Sequence, residues 1–191
     1  TGLSAGGAMT SAMLATYPEV FAAGAIIAGL PFGAANNVHE ALDVMHRGRR
    51  WPARHWGDLV RAASDHDGPW PRVSVWHGGA DRTVAPLNAG EIVKQWAELH
   101  GLASTPSERS AGDGFSREVW RDRAGRAAIE SFAIPALAHG TPLATGEGED
   151  CCGVAGPFLI EAGISSTHHI ARFFGLIDEG VEARPARRIE T

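Results

Sequence analysis

The sequence has no methionine at its start, no long apolar run, no excess of positive charge and almost no cysteine. Each absence removes a class of answer. Thr1 opens the chain one residue before a glycine-serine motif, so the expectation is that these 191 residues are the C-terminal part of a longer protein. No stretch approaches the roughly 20 apolar residues of a membrane-spanning helix, and membrane insertion is not expected. Lysine and arginine total 17 against 22 aspartates and glutamates, a net charge of −5. That balance argues against a polyanion such as nucleic acid as the main partner. The only cysteines, Cys151 and Cys152, are neighbours, too close along the chain to bond each other in ordinary disulfide geometry. Two readings of them stay open: one pairs with a cysteine upstream, or both are buried thiols. The nine histidines include neither H-x-x-x-H nor H-E-x-x-H spacing, so no metal and no other cofactor is called for.

What is present reads as a single soluble α/β domain, with 44% hydrophobic and 20% charged residues. Ala8 to Ala15 is rich in helix formers until Tyr17-Pro18 interrupts it. Phe21 to Gly29 is a short continuous apolar run bounded by glycine, the pattern of a strand buried on both faces of a parallel sheet. A second such strand is expected at Arg72 to Gly78, followed by a helix over Ala89 to His100 in which Ile92, Val93, Trp96 and Leu99 recur at helical spacing. Ser116 to Arg123 and Ala127 to Ile134 read as two strands joined by a turn at Asp122 to Arg126. A closing helix is expected over Thr167 to Leu176. Residues 30–71 mix glycine, proline, histidine and three tryptophans with one helical segment, Val38 to Arg47, and read as a cap-like insertion over the sheet. Trp51, Trp56 and Trp70 offer either an apolar surface or packing onto the core; burial statistics favour packing. Residues 1–177 are thus taken as part of one catalytic domain and 178–191 as a charged tail.

The chemistry starts at Gly2-Leu3-Ser4-Ala5-Gly6, which fits G-x-S-x-G. In that motif a serine sits on a strained strand-to-helix turn, and the glycines remove side chains that would collide with nearby backbone. The Ala5 backbone N–H, at the helix start, is then available as one oxyanion donor. A serine hydroxyl needs a histidine base, and the base needs a carboxylate to fix its tautomer. In the α/β-hydrolase fold these follow in the chain order Ser, Asp or Glu, His. Asp81 lies just past the Val73 to Trp76 strand, where the acid is required; Asp58, Asp65, Asp67 and Asp113 do not directly follow a buried strand. Among the histidines, His39, His46, His55 and His66 fall in the cap, His100 ends a helix and His77 lies between strand and acid loop. His168 and His169 stand near the last helix. His139 follows the last predicted strand in the loop Ala138-His139-Gly140-Thr141-Pro142, from which a base can swing over the sheet edge. The expected triad is Ser4, Asp81 and His139.

With these residues in hand, the sequence resembles the polyhydroxybutyrate depolymerase family of esterases, which also includes feruloyl and acetylxylan esterases. The resemblance is carried by Gly2-Leu3-Ser4-Ala5-Gly6-Gly7-Ala8-Met9, Tyr17 to Ala23, Gly29 to Ala35, Trp76-His77-Gly78-Gly79-Ala80-Asp81, His139-Gly140-Thr141-Pro142 and Glu161 to Gly175. It implies a mostly parallel sheet with flanking helices, of which only the C-terminal part is present, and hydrolysis of a carboxylic ester through an acyl-enzyme. Its implied substrate is a polyhydroxyalkanoate or its oligomers; a feruloyl or acetyl ester on plant polysaccharide is the close alternative. It also implies a secreted or periplasmic parent. The family's second oxyanion donor would lie upstream of Thr1, which leaves a reading of another class, an inactive fragment. On that view the elbow has no preceding strand, Ile26 and Ile27 are poorly covered at an open sheet edge, and the chain associates with itself.

Overall fold

A computed structural model of the chain describes residues 1–148 and 150–177; the tail 178–191 lies outside the described residues. The chain builds two-residue strand β1 (Gly2–Leu3), helix α1 (Ala5–Thr16), strand β2 (Ala23–Ile27), helices α2 (Val38–Arg47) and α3 (Ala53–Arg61), and strand β3 (Arg72–Gly78). Then come α4 (Leu87–Leu99), β4 (Glu108–Gly112), β5 (Phe115–Arg121), β6 (Ala127–Ile134), β7 (Thr141–Leu143), β8 (Leu159–Glu161) and α5 (Ser166–Phe174). Six strands form one sheet in the order β1-β2-β3-β6-β5-β4. The first four are mutually parallel, and β5 and β4 run antiparallel at the far side. β7 and β8 pair separately in a parallel ribbon.

Both faces of the sheet are covered, and the period-two alternation of strand side chains decides which residue serves which face. Ile26, Val73, Val75 and Ile129 join Leu14, Val60, Ile92 and Trp96 under α1, α3 and α4. Ala25, Ile27, Trp76, Phe132 and Ile134 point the other way and meet Ile164 and Ile170 at α5. The rings of Trp76 and Phe132 stack at 3.7 Å across β3 and β6. Continuous apolar runs in β2 and β3 follow from this double covering. No helix among the described residues is long and apolar enough to cross a membrane.

Two expectations are overturned. Ile26 and Ile27 are buried rather than poorly covered, because α1 and α5 lie over them and β1 flanks β2. The elbow does have a preceding strand, Gly2–Leu3, in parallel register with Ile26 and Ile27. Other differences concern extent. β2 is shorter than the apolar run, since Ala28 turns to φ 45° and ends it. Helix α1 begins at Ala5, three residues before the run of helix formers. The segment 30–71 adds no strand but holds two helices, and α3 escaped the sequence reading because Gly57 in its middle weakens the helical signal. A Cβ at Gly57 would lie 2.6 Å from Glu98 Cγ on α4, so glycine lets the two helices close up. Trp56 is fully buried on α3, and its indole N–H donates to Glu91 on α4 at 2.6 Å. Trp51 and Trp70 are partly buried and pack against core clusters.

Candidate active site

Because β1, β2, β3 and β6 run in parallel, their C-terminal ends share one edge of the sheet, the edge where open α/β folds place their sites. Ser4 follows β1, Asp81 follows β3 and the His139 loop follows β6. Ser4 has φ 59° and ψ −118°, a left-handed turn that L-residues enter at a cost. Two contacts hold it there. Its N–H donates to the Ile27 carbonyl at 2.9 Å, and its carbonyl accepts from the Ala8 N–H at 3.0 Å, opening α1. Glycines allow the packing, though not at both positions that the motif fixes. A Cβ on Gly2 would fall 2.2 Å from the Gly6 carbonyl oxygen, and one on Gly7 would fall 2.9 Å from the Ile27 oxygen, whereas a Cβ on Gly6 meets nothing within 4 Å. The Ala5 N–H belongs to the first helical turn, where no intrahelical acceptor exists.

Asp81 is buried, and its loop is tied at both carboxylate oxygens. Oδ1 accepts from the Thr83 and Val84 N–H groups at 2.8 and 2.9 Å, and Oδ2 accepts from His139 Nδ1 at 2.7 Å. Burial pushes the Asp81 carboxyl up, yet the bond from His139 and those from Val84 and Thr83 outweigh it and hold the group below the ordinary value. An ionised carboxylate only accepts, so Nδ1 of His139 carries the proton and Nε2 is left as the basic nitrogen. Glycines again make the approach possible. A Cβ at Gly78 would lie 2.1 Å from the Leu137 oxygen and one at Gly79 2.9 Å from Pro135, and the Ala80 N–H donates to Leu137 O at 3.1 Å. The acid loop and the base loop are thus laid directly on one another.

His77 lies behind the acid. Its Nε2–H donates to the Val84 carbonyl at 3.0 Å, 3.5 Å from Asp81 Oδ2, and burial lowers its pKa. It is a neutral strut under the acid loop. His169 packs against the Trp76 and Phe132 rings, and His168 lies 2.7 Å from Asp150. Cys151 and Cys152 are half-buried free thiols, and Cys152 Sγ stands 2.8 Å from the Ser165 hydroxyl.

The structure joins Asp81 to His139 directly; it shows no hydrogen bond between Ser4 and His139 among the described residues. Ser4 instead borders an apolar cleft of about 420 Å³, walled by Ala5, Ala8 and Ala28 on its own side, by Leu42 and Met45 of α2 opposite, and by Val84 of the acid loop. Phe158 was missed by sequence reasoning. Its ring stands edge-on to His139 at 6.3 Å, it is exposed, and its φ is 62°. The long-range pairing of β7 with β8, together with the Thr141 N–H bond to the Phe158 carbonyl, brings it there.

Comparison with known proteins bears on this geometry. Residues 1–120 match the family described as Esterase PHB depolymerase. Over 178 residues the chain is 41% identical to Poly(3-hydroxyalkanoate) depolymerase C of Paucimonas lemoignei, covering 93% of this chain and 43% of that protein. It is 37% identical over 150 residues to an acetylxylan esterase of Coprinopsis cinerea, covering 74% and 39%. The solved acetyl xylan esterase from Aspergillus awamori superposes with a TM-score of 0.65 at 27% identity, covering 72% of this chain and 52% of that one. The chain therefore spans less than half the length of these two curated relatives, and the superposition confirms an α/β-hydrolase sheet with flanking helices.

Proposed function

Because the chain belongs to the esterase PHB depolymerase family, we propose that it carries the nucleophile, base and acid of a serine carboxylic-ester hydrolase. The observation that carries the reading is the 2.7 Å bond between His139 and a buried Asp81 whose other oxygen is already held by two backbone N–H groups. Such an acid cannot turn away, so it fixes the imidazole with Nε2 outward. Ser4 Oγ attacks the ester carbonyl as Nε2 of His139 takes its proton. The oxyanion forms against the Ala5 N–H, with a second donor supplied by the longer protein. His139 then returns the proton to the departing alcohol, and a water, activated by the same nitrogen, releases the acid from Ser4.

The substrate we propose is a poly(3-hydroxyalkanoate) or its oligomers. At 41% identity over 178 residues the chain is similar to a depolymerase of that polymer, and the cleft beside Ser4 is apolar, with alanines on its inner wall that leave room for a short aliphatic unit. An acetylated or feruloylated polysaccharide is the second reading, favoured by the acetylxylan esterase relatives. By likeness to the esterase PHB depolymerase family, the longer protein would act outside the cytoplasm.

The test uses the longer protein. It is expected to hydrolyse short-chain p-nitrophenyl esters and to release 3-hydroxybutyrate from the polyester, and Ser4→Ala is expected to abolish both. Hydrolysis persisting near the unmodified rate in Ser4→Ala would refute the triad. Release of ferulate or acetate from decorated xylan, with none from the polyester, would transfer the substrate to the second reading. Labelling of Ser4 in the 191-residue chain by a fluorophosphonate separates a competent site from an inactive fragment.

A further inference from the structure

At the opposite end of the parallel strands, four guanidinium groups line one cavity of about 460 Å³. Arg72 is the first residue of β3, Arg117 and Arg121 lie on β5, and Arg172 lies on α5. Among the described residues the cavity wall holds two carboxylates, and both are engaged. Glu130 accepts from Arg117 Nη2 and Nε at 2.9 and 3.1 Å and from the Ser74 hydroxyl at 2.7 Å. Glu108 accepts from Arg121 at 2.9 Å.

The other two guanidinium groups are left with little. Among the described residues no carboxylate pairs with Arg72 and no acceptor bonds it; its only close partner is the face of Phe173, 4.8 Å from the guanidinium carbon. Burial, together with the like charge of Arg126, presses on its ionisation against the pull of Glu130 and Asp122. Arg172 reaches Asp150 only at 3.6 Å, and its Nε is buried without a hydrogen-bond partner among the described residues. A buried donor without an acceptor is costly and rare. Here Arg172, which carries such a donor, and Arg72, which has no acceptor among the described residues, face one cavity from different elements, beside a third and fourth whose own partners leave donor positions over.

We propose that this cavity binds a tetrahedral oxyanion, the phosphate or sulfate group of a small solute, with Arg72 and Arg172 as its principal ligands. The donors converge from β3, β5 and α5, on different sides of the space, which suits an anion that presents oxygens in several directions. A carboxylate presents one edge and would satisfy a single fork. The site does not touch the serine edge of the sheet and does not depend on the esterase reading.

Inorganic phosphate is the probe, titrated into the 191-residue chain at constant ionic strength and followed by phosphorus NMR line broadening and by calorimetry. One saturable site is expected, with sulfate competing and with the thermal midpoint rising as the site fills. Arg72→Met keeps an unbranched stem over Phe173, and Arg172→Gln keeps a polar end; each is expected to weaken binding by about tenfold or more, as loss of a charge-assisted bond does. Arg109→Met, an exposed arginine paired with Glu118 outside the cavity, is expected to leave binding unchanged. Equal weakening in that variant would mean diffuse attraction and overturn the site, as would the absence of saturable phosphate binding. If 3-hydroxybutyrate bound as tightly as phosphate with the same dependence on Arg72, the tetrahedral assignment would be wrong and the cavity would be a carboxylate site. Circular dichroism checks folding, and two variants on different elements keep the result readable if one fails to fold.

Discussion

Asp81 makes three hydrogen bonds with two oxygens, and that economy sets what each substitution at the acid should do. Asn at this position retains one acceptor atom but presents an NH₂ group as well. If its oxygen stays on Thr83 and Val84, the amide faces Nδ1 of His139 and drives the imidazole proton to Nε2, the wrong nitrogen for a base. Asp81→Asn in the longer protein is therefore expected to lower kcat by about 10⁴-fold with little change in fold, the size of loss that a mis-set tautomer produces in serine hydrolases. A kcat within tenfold of the unmodified enzyme would remove Asp81 from the mechanism. Buried imidazoles make a second residue-scale statement. Burial lowers the pKa of His77, His100 and His169 below the ordinary 6.5. Between those lowered values and 6.5 the unfolded chain binds protons that the native chain does not, so stability is lost as the pH falls below 6.5. The Asp81 carboxyl, held below its ordinary 3.8, adds a further loss as the pH falls through its native value. The urea midpoint should be lower near pH 5 than near pH 7.5, and His77→Gln, whose amide can still donate to Val84 O, should shrink that difference. A midpoint that does not move with pH would contradict this account.

Among the elements, the turn around Ser4 separates motif from mechanics. A reading of G-x-S-x-G expects both fixed glycines to relieve collisions, but the crowded positions are Gly2 and Gly7, and Gly6 faces open space. Both Gly6 and Gly7 lie in α1, where glycine costs about 1 kcal/mol relative to alanine. Gly6→Ala is thus expected to stabilise the chain by a few tenths to about 1 kcal/mol. Gly7→Ala, whose Cβ would press on the backbone at Ile27 and Gly29, is expected to cost about 1–3 kcal/mol. Equilibrium urea unfolding of the two variants measures the contrast, and equal effects would show that the turn relaxes freely. The same elements show what the sequence made legible. Strands β2 and β3 could be read because they are apolar runs buried on both faces, α4 and α5 because their apolar periodicity is their burial, and α1 from its run of helix formers. β4, fully exposed, and the three-residue strands β7 and β8 carry no such pattern, for their pairing is fixed by neighbours distant in the chain. The juxtaposition of Asp81 and His139 could be inferred from chain order alone; Phe158 and the role of Gly7 could not, since each depends on a contact between segments that the sequence does not place side by side.

For the molecule as a whole, the two edges of the sheet are unequal, and the difference governs how the isolated chain should behave. On one side β4 is solvated and carries Glu108 and Arg109, each paired with an arginine or glutamate of β5, so charge blunts that edge. On the other side the last strand is β1, only Gly2–Leu3 long, with no charged side chain of its own. Beside it lies a further cleft of about 370 Å³, bordered by Leu3, Ile27, Ile170 and Phe174. An edge with unpaired backbone groups and an apolar flank is a template for another strand. Ile26 and Ile27 are covered, so the drive to associate comes from this two-residue edge and its flanking cleft, not from an exposed core. The association is accordingly expected to be reversible and concentration-dependent, not amorphous precipitation. In light scattering coupled to size exclusion, the 191-residue chain should elute as a monomer when dilute and shift to larger mass as its concentration rises. Leu3→Lys, which places a charge beside the edge as natural sheets do, should hold it monomeric. A monomer at every concentration, unaffected by Leu3→Lys, would show that β1 is too short to recruit a partner and that the β1 edge is inert in the isolated chain.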